Sequence, residues 1–303
     1  MVLGQVWSMF SDLVGSFGPS LAQAPDDGPL HLAETPTHPG AATPTTRWNR
    51  NRIAIVDALW GEGFTFPNGE QETLHLAKPL ALSKASSLLL VGAGTGGAPC
   101  CITAQLGAWV TGFEADPELA LVATERSTRS GLGKRAEIRF WDPMEANFLR
   151  RNYHHALTLE ALRGEPSGPL LAGLFQALRP GGQLVMVDLV AEQPLDPRDA
   201  EVVAWCRLEG RPPVVPSQRA INGALGRLGF DVRVTEDISL RHMQQALHGW
   251  HNMIRGMHSK KPAPAMAMVV VREAELWLRR LSLMRAHRIR LMRWHAIRSD
   301  TAG

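Results

Sequence analysis

Apolar residues recur at helical spacing from the start of the chain. Val2, Leu3, Val6, Trp7, Phe10, Leu13, Val14 and Phe17 form one stripe, which predicts an amphipathic helix. Residues 25–46 lose that period and are rich in Pro, Thr, Ala and Gly, so they read as a flexible linker. Ordered patterning resumes near Trp48. Ile53–Trp60 reads as a helix, Gly61–Gly69 as a turn-rich loop and Glu70–Leu80 as another helix. Strand-like runs follow at Ser87–Val91, Trp109–Phe113, Glu137–Trp141, His155–Leu159 and Gln183–Asp188. Helical periods at Cys101–Leu106, Glu118–Thr128 and Leu170–Leu178 fall between them. Ala220–Leu228 then reads as a helix, Asp231–Val234 as a strand, and His242–Met257 and Glu273–Ile297 as helices. Alternation with short loops predicts an α/β domain built on a doubly wound, mostly parallel sheet. The expected division is an N-terminal extension over 1–46 and one domain over 47–303.

Composition narrows the class without naming it. The 303 residues are 45% hydrophobic and 20% charged, as in ordinary globular proteins. The net charge is +3, but basic residues are unevenly spread. Residues 1–46 contain no Lys or Arg, whereas Arg272–Arg298 contains eight Arg. A basic C-terminal helix can meet nucleic acid or anionic lipid, but a solvated face on a packed helix is the plainer expectation. No nucleic-acid partner is therefore expected. Three Cys, two of them adjacent at Cys100 and Cys101, give neither metal-ligand spacing nor an even disulfide framework. No metal is expected, and the cysteine usage predicts a reducing compartment and a cytoplasmic location.

No apolar run approaches the roughly 20 residues needed to span a bilayer. Ala22-Gln23-Ala24 imitates a signal cleavage site, but Asp12 and the lack of a basic leader argue against secretion. The N-terminal helix carries no basic residue on its polar face, which favours packing or a protein partner over peripheral membrane contact.

The chemistry is concentrated at Ser87-Leu88-Leu89-Leu90-Val91-Gly92-Ala93-Gly94-Thr95-Gly96-Gly97. An apolar strand breaks into closely spaced glycines before a helix. Such backbone can take φ > 0 and approach a ligand closely. The amides opening the helix are expected to face that ligand. Gly92, Gly94 and Gly97 also fit G-x-G-x-x-G, which keeps a nicotinamide oxidoreductase open. Further along, Glu114 ends the second strand, where a carboxylate can grip both hydroxyls of a ribose. Asp142 ends the third strand, placed for an adenine amino group, and Arg179-Pro180-Gly181-Gly182 makes a helix–turn–strand unit.

In this order, those features resemble the class I S-adenosylmethionine (SAM)-dependent methyltransferases. The resemblance covers about residues 50–298. It implies a seven-stranded Rossmann-like sheet with a reversed last hairpin, SAM as cofactor, and methyl transfer to a small-molecule acceptor. It also implies Gly92, Ala93, Gly94 and Gly96 beside the methionine moiety, Glu114 on the ribose and Asp142 on the adenine. Trp60-Gly61-Glu62-Gly63-Phe64, Gly229-Phe230-Asp231-Val232 and an end helix carrying Trp277 and Trp294 are similar to the phosphoethanolamine N-methyltransferase branch. That likeness places Trp60 and Phe64 over the reacting centre as substrate-side residues.

The chain also departs from that branch. Leu90 stands where an acidic residue is usual, Tyr153-His154-His155 where an Asp is usual, and Leu189 where a phosphate-holding Tyr is usual. Ala161-Leu162-Arg163-Gly164 lacks the branch's His. A base is needed only for a protonated nucleophile, so the task is absent or moved elsewhere. Glu160, after the fourth strand, is the expected catalytic residue on the acceptor side. Asp188 is read as structural or pocket-lining. The departures also leave open a catalytically impaired methyltransferase fold that serves as a binding or scaffold protein.

Overall fold

The computed structural model describes residues 48–164, 166–259 and 263–299. The amphipathic stripe over 2–17 and the linker over 25–46 lie outside these residues. Seven strands form one sheet: β1 Ser87–Val91, β2 Trp109–Glu114, β3 Ala136–Phe140, β4 Tyr153–Leu159, β5 Leu178–Val190, β6 Phe230–Asp237 and β7 Arg290–Arg298. Their order is β3-β2-β1-β4-β5-β7-β6, with β7 antiparallel to both of its neighbours and the remaining pairs parallel. The helices are α1 Arg50–Trp60, α2 Gly69–Ala77, α3 Gly97–Leu106, α4 Pro117–Arg129, α5 Ser167–Ala177, α6 Ala200–Glu209, α7 Gln218–Leu228, α8 Ser239–Ser259 and α9 Pro264–Arg285.

Alternation along β1 shows how the layers arise. Leu88 and Leu90 point into one core, with residues of α1, α3, α6, α8 and α9. Leu89 and Val91 point into the other, with residues of α5, α7 and β7. A strand apolar on both sides needs a helical layer over each face. Three tryptophans, Trp205, Trp250 and Trp294, are fully buried, each worth roughly 4–6 kcal/mol of gross transfer free energy.

Helix starts follow local chemistry. Asn49 caps α1 by accepting from the Arg52 amide at 2.9 Å. Asp116 caps α4 through the Glu118 and Leu119 amides, and Pro117 occupies the first helical position. Arg179–Gly182, expected as a turn, lies within β5 as an irregularity. Tyr153 pairs with Leu178 but His155 pairs with Gln183, so the four residues between bulge outward.

One expectation is overturned. Glu273–Ile297 is not a single helix, and Trp294 lies on no end helix. The helix ends at Arg285, His287 takes a left-handed φ of 54°, and 290–298 forms β7. The basic C-terminal helix is therefore half strand. Met292, Trp294 and Ala296 alternate with Arg293 and His295, a period of two that buries one face in the core with α5 and α7 while the backbone pairs with β5 and β6. Trp294 Nε1 donates to Asn222 Oδ1 at 2.7 Å, which satisfies the buried indole. Among the described residues, no helix is long and apolar enough to cross a membrane.

Candidate functional site

A cleft opens at the carboxyl ends of β1, β2 and β4. Its strand wall carries Gly92, Gly94, Glu114, Trp141 and Leu159. The opposing wall comes from α8 and α9, with Arg241, His242, Gln245, Glu273, Trp277 and Arg280. Trp48, Thr65 and Phe66 close one side. Parallel sheets place ligands in this position, where the strand order reverses between β1 and β4.

The glycines of the first turn are fixed by protein contacts as much as by space for a ligand. Gly92 has φ 86°, and a Cβ there would sit 2.2 Å from the Leu159 carbonyl oxygen. A Cβ on Gly97 would meet the Gly63 carbonyl at 2.6 Å, because the 61–66 loop rests backbone to backbone on the turn. Gly97 N–H donates to Gly63 O at 2.8 Å. Arg126 fastens the same loop. It donates to Asp57 Oδ2 at 2.9 Å and to Thr95 O, while Asp57 Oδ1 accepts from Gly63 N–H at 2.8 Å.

These contacts narrow the expectation that the helix-opening amides face a ligand, since Gly97 N–H is already taken by Gly63 O. Gly92 and Ala93 N–H both donate to Phe113 O, Gly96 N–H to Ala93 O, and Gly94 N–H to Glu114 Oε2. The turn is largely folded on itself, and only the Thr95 and Ala98 amides are left without a protein acceptor.

Glu114 is buried and lines the cleft. Oε2 accepts from Gly94 N–H at 2.8 Å and Oε1 from Asp116 N–H at 3.0 Å. Each oxygen keeps a second lone pair, so the carboxylate can still accept from two hydroxyls. Burial pushes its pKa up to about 7, against the pull of those amides. Asp142 is exposed beside Trp141 and accepts from Met144 N–H at 2.9 Å.

Other expected residues fall in different places. Trp60 and Phe64 are buried in the core rather than on the cleft lining; Trp60 packs edge-on against Trp277 at 4.8 Å. The neighbouring Thr65 and Phe66 line the cleft instead. Glu160 does line it, at φ 48°, with Oε1 2.6 Å from Arg280 Nη2. Asp188 is buried behind the wall, accepting from Leu162 and Leu189 amides, and burial raises its pKa to about 7. His154 and His155 sit at the amino end of β4, away from the cleft.

The charged pairs of the helix wall have no motif in the sequence. Arg280 lies between Glu160 and Glu209, Arg52 pairs with Glu273 at 2.7 Å, and Arg241 and Gln245 both hold Glu72 at 2.9 Å. A signal existed. His242, Ala246, Trp250, Ile254 and Met257 share one helical face, so His242 sits on a buried stripe.

No family model matches the chain. Among curated proteins, O-methyltransferase cnsE of Penicillium expansum is 26% identical over 220 residues, covering 68% of this chain and 79% of that protein. Methyltransferase GfsG of Streptomyces halstedii is 28% identical over 142 residues, covering 46% of this chain and only 51% of GfsG. Phosphoethanolamine N-methyltransferase 2 of Haemonchus contortus, solved with phosphomonomethylethanolamine and S-adenosylhomocysteine, superposes with a TM-score of 0.73. That match is 16% identical and covers 84% of this chain and 59% of the other. The fold is that of the class I SAM-dependent methyltransferases. Geranyl diphosphate C-methyltransferase of Streptomyces coelicolor A3(2) shares this methyltransferase fold at a TM-score of 0.58 and 14% identity, over 75% of this chain and 80% of its own.

Proposed function

We infer that the protein transfers a methyl group from SAM to a small-molecule acceptor. The observation that carries this reading is the Glu114 carboxylate, buried at the end of β2 with two lone pairs left for a ribose, beside a turn most of whose amides are already bonded to the protein. A dinucleotide's pyrophosphate needs free amides; an adenosyl sulfonium does not. SAM supplies an activated methyl, so the chain's task is to bind, align and exclude water. Glu114 is the ribose ligand, and Gly92, Ala93, Gly94 and Gly96 give the cofactor a wall without side-chain bulk. Asp142 is the adenine-side carboxylate. Glu160 is the acceptor-side carboxylate, and it acts through its pair with Arg280. Trp60 and Phe64 back the cleft wall rather than cover the sulfonium.

The relatives bear on the acceptor. Their names describe O-, N- and C-methylation, so the methylated atom comes from this chain's own wall. Residues 1–46 are read as an extension through which the domain over 47–303 meets a protein or a membrane surface. Three thiols without a disulfide favour the cytoplasm.

Calorimetry with SAM and with NAD, followed by transfer of radiolabelled methyl to a panel of hydroxyl, amine and carbon acceptors, tests the proposal. SAM binding with label transfer is expected. NAD binding instead contradicts the account, and SAM binding without transfer to any acceptor favours the impaired scaffold.

A further inference from the structure

Four buried side-chain nitrogens on the helix wall have no hydrogen-bond partner, Arg241 Nε, His242 Nε2, Trp277 Nε1 and Arg280 Nε, and of these only the imidazole nitrogen can act as an acceptor. His242, on the second turn of α8, is 6% exposed and lines the cleft, and its Nε2 has no hydrogen-bond partner. The ring lies tilted against Trp277, 5.7 Å between centroids. The buried charges nearby neutralise one another. Arg280 is held by Glu160 at 2.6 Å and Glu209 at 3.5 Å, and Arg241 by Glu72 at 2.9 Å. An anionic acceptor would have to draw an arginine out of one of these pairs, and a cationic one a carboxylate. A neutral group that donates a hydrogen bond meets neither cost.

Resting on the methyltransferase reading, we propose that His242 Nε2 binds the hydroxyl of a neutral alcohol or phenol and takes its proton as the methyl is transferred. The acceptor oxygen bonds the methyl carbon while the carbon–sulfur bond breaks and its electron pair stays on sulfur. The hydroxyl proton goes to Nε2 and then to solvent, leaving the methyl ether, neutral S-adenosylhomocysteine and a neutral imidazole. The loop Ala161–Gly164 carries no imidazole, so a base supplied by α8 fills that gap from the opposite wall. Burial first, then the charges of Arg280 and Arg241, hold the imidazole well below its ordinary range. It therefore stands neutral at pH 7 with its lone pair able to accept the hydroxyl's hydrogen bond, and, being a weaker base for the same reason, it takes the proton as the methyl transfers and not before.

The test uses the full chain loaded with S-adenosylhomocysteine at pH 7.5, ¹⁵N-labelled at histidine, with H242Q to assign the resonance. Nε2 is expected in its unprotonated form, and phenol should shift it toward hydrogen-bonded values while anisole leaves it unmoved. Transfer of methyl from SAM to phenol should fall by about 10²–10⁴-fold in H242Q, the usual contribution of a general base. S-adenosylhomocysteine affinity should be the same in both proteins. A protonated Nε2, or a resonance unmoved by phenol up to its solubility, overturns the binding role. Equal methylation in both proteins, including equal absence of product, overturns the proton-taking role. Failure of the wild type to bind S-adenosylhomocysteine would instead remove the methyltransferase reading on which the proposal rests.

Discussion

The glycine turn and Glu114 on the strand wall of the cleft are close together in the chain, whereas the helix wall joins residues far apart. Gly92 through Gly97 and Glu114 belong to consecutive elements, and Gly94 meets Glu114 across 20 positions. Arg52 meets Glu273 across 221 positions, and Arg280 meets Glu160 across 120. The first wall works through bare backbone and one carboxylate; the second works through buried charges that compensate each other. Local spacing carries information about the first kind of wall and almost none about the second. The cofactor half of such a site can then be read from a sequence while the acceptor half stays hidden.

Substitutions on the two walls should break differently. Gly92→Ala should have the largest effect. The new methyl would strike the Leu159 carbonyl at a positive φ, and denaturant unfolding should lose about 3 kcal/mol or more. Arg126→Met should follow. It leaves the Asp57 carboxylate and the Thr95 carbonyl without their guanidinium, for roughly 2–3 kcal/mol of stability in the same measurement. Glu114→Ala should spare the fold more than either and weaken SAM binding by about 1–3 kcal/mol, read by calorimetry. A gentler probe of the same residue is pH. The Glu114 pKa is raised to about 7, so its charged form prevails above that value and is lost as pH falls through it. S-adenosylhomocysteine affinity should be level above pH 8 and decline below pH 7, by up to about tenfold per unit. On the helix wall, Glu160→Gln should leave cofactor affinity unchanged and slow methyl transfer, because it loosens Arg280 alone.

Much of the strand wall was legible in advance. β1 matched its expected bounds, and β2 ends at Glu114 as its apolar run suggested. Physical reasons account for what was not legible. The amides of the turn read as free in the sequence because periodicity cannot show that Phe113, Gly63 and Glu114 consume most of them. β7 was hidden because leucine, methionine and arginine favour helix locally, and only pairing with β5 and β6 makes the two-residue period of Met292–Ala296 decisive. Trp60 and Phe64 were placed over the reacting centre by likeness of motif, yet their rings turn into the core and hand the lining to Thr65 and Phe66. Glu160 was found from its place after β4, but its partner Arg280 could not be.

The most direct measurement is a crystal structure with S-adenosylhomocysteine bound. The account predicts both ribose hydroxyls on the Glu114 carboxylate and the homocysteine portion along Gly92–Gly96, with sulfur facing the wall that carries Glu160. Ligand density elsewhere, or a ribose that makes no contact with Glu114, would contradict it.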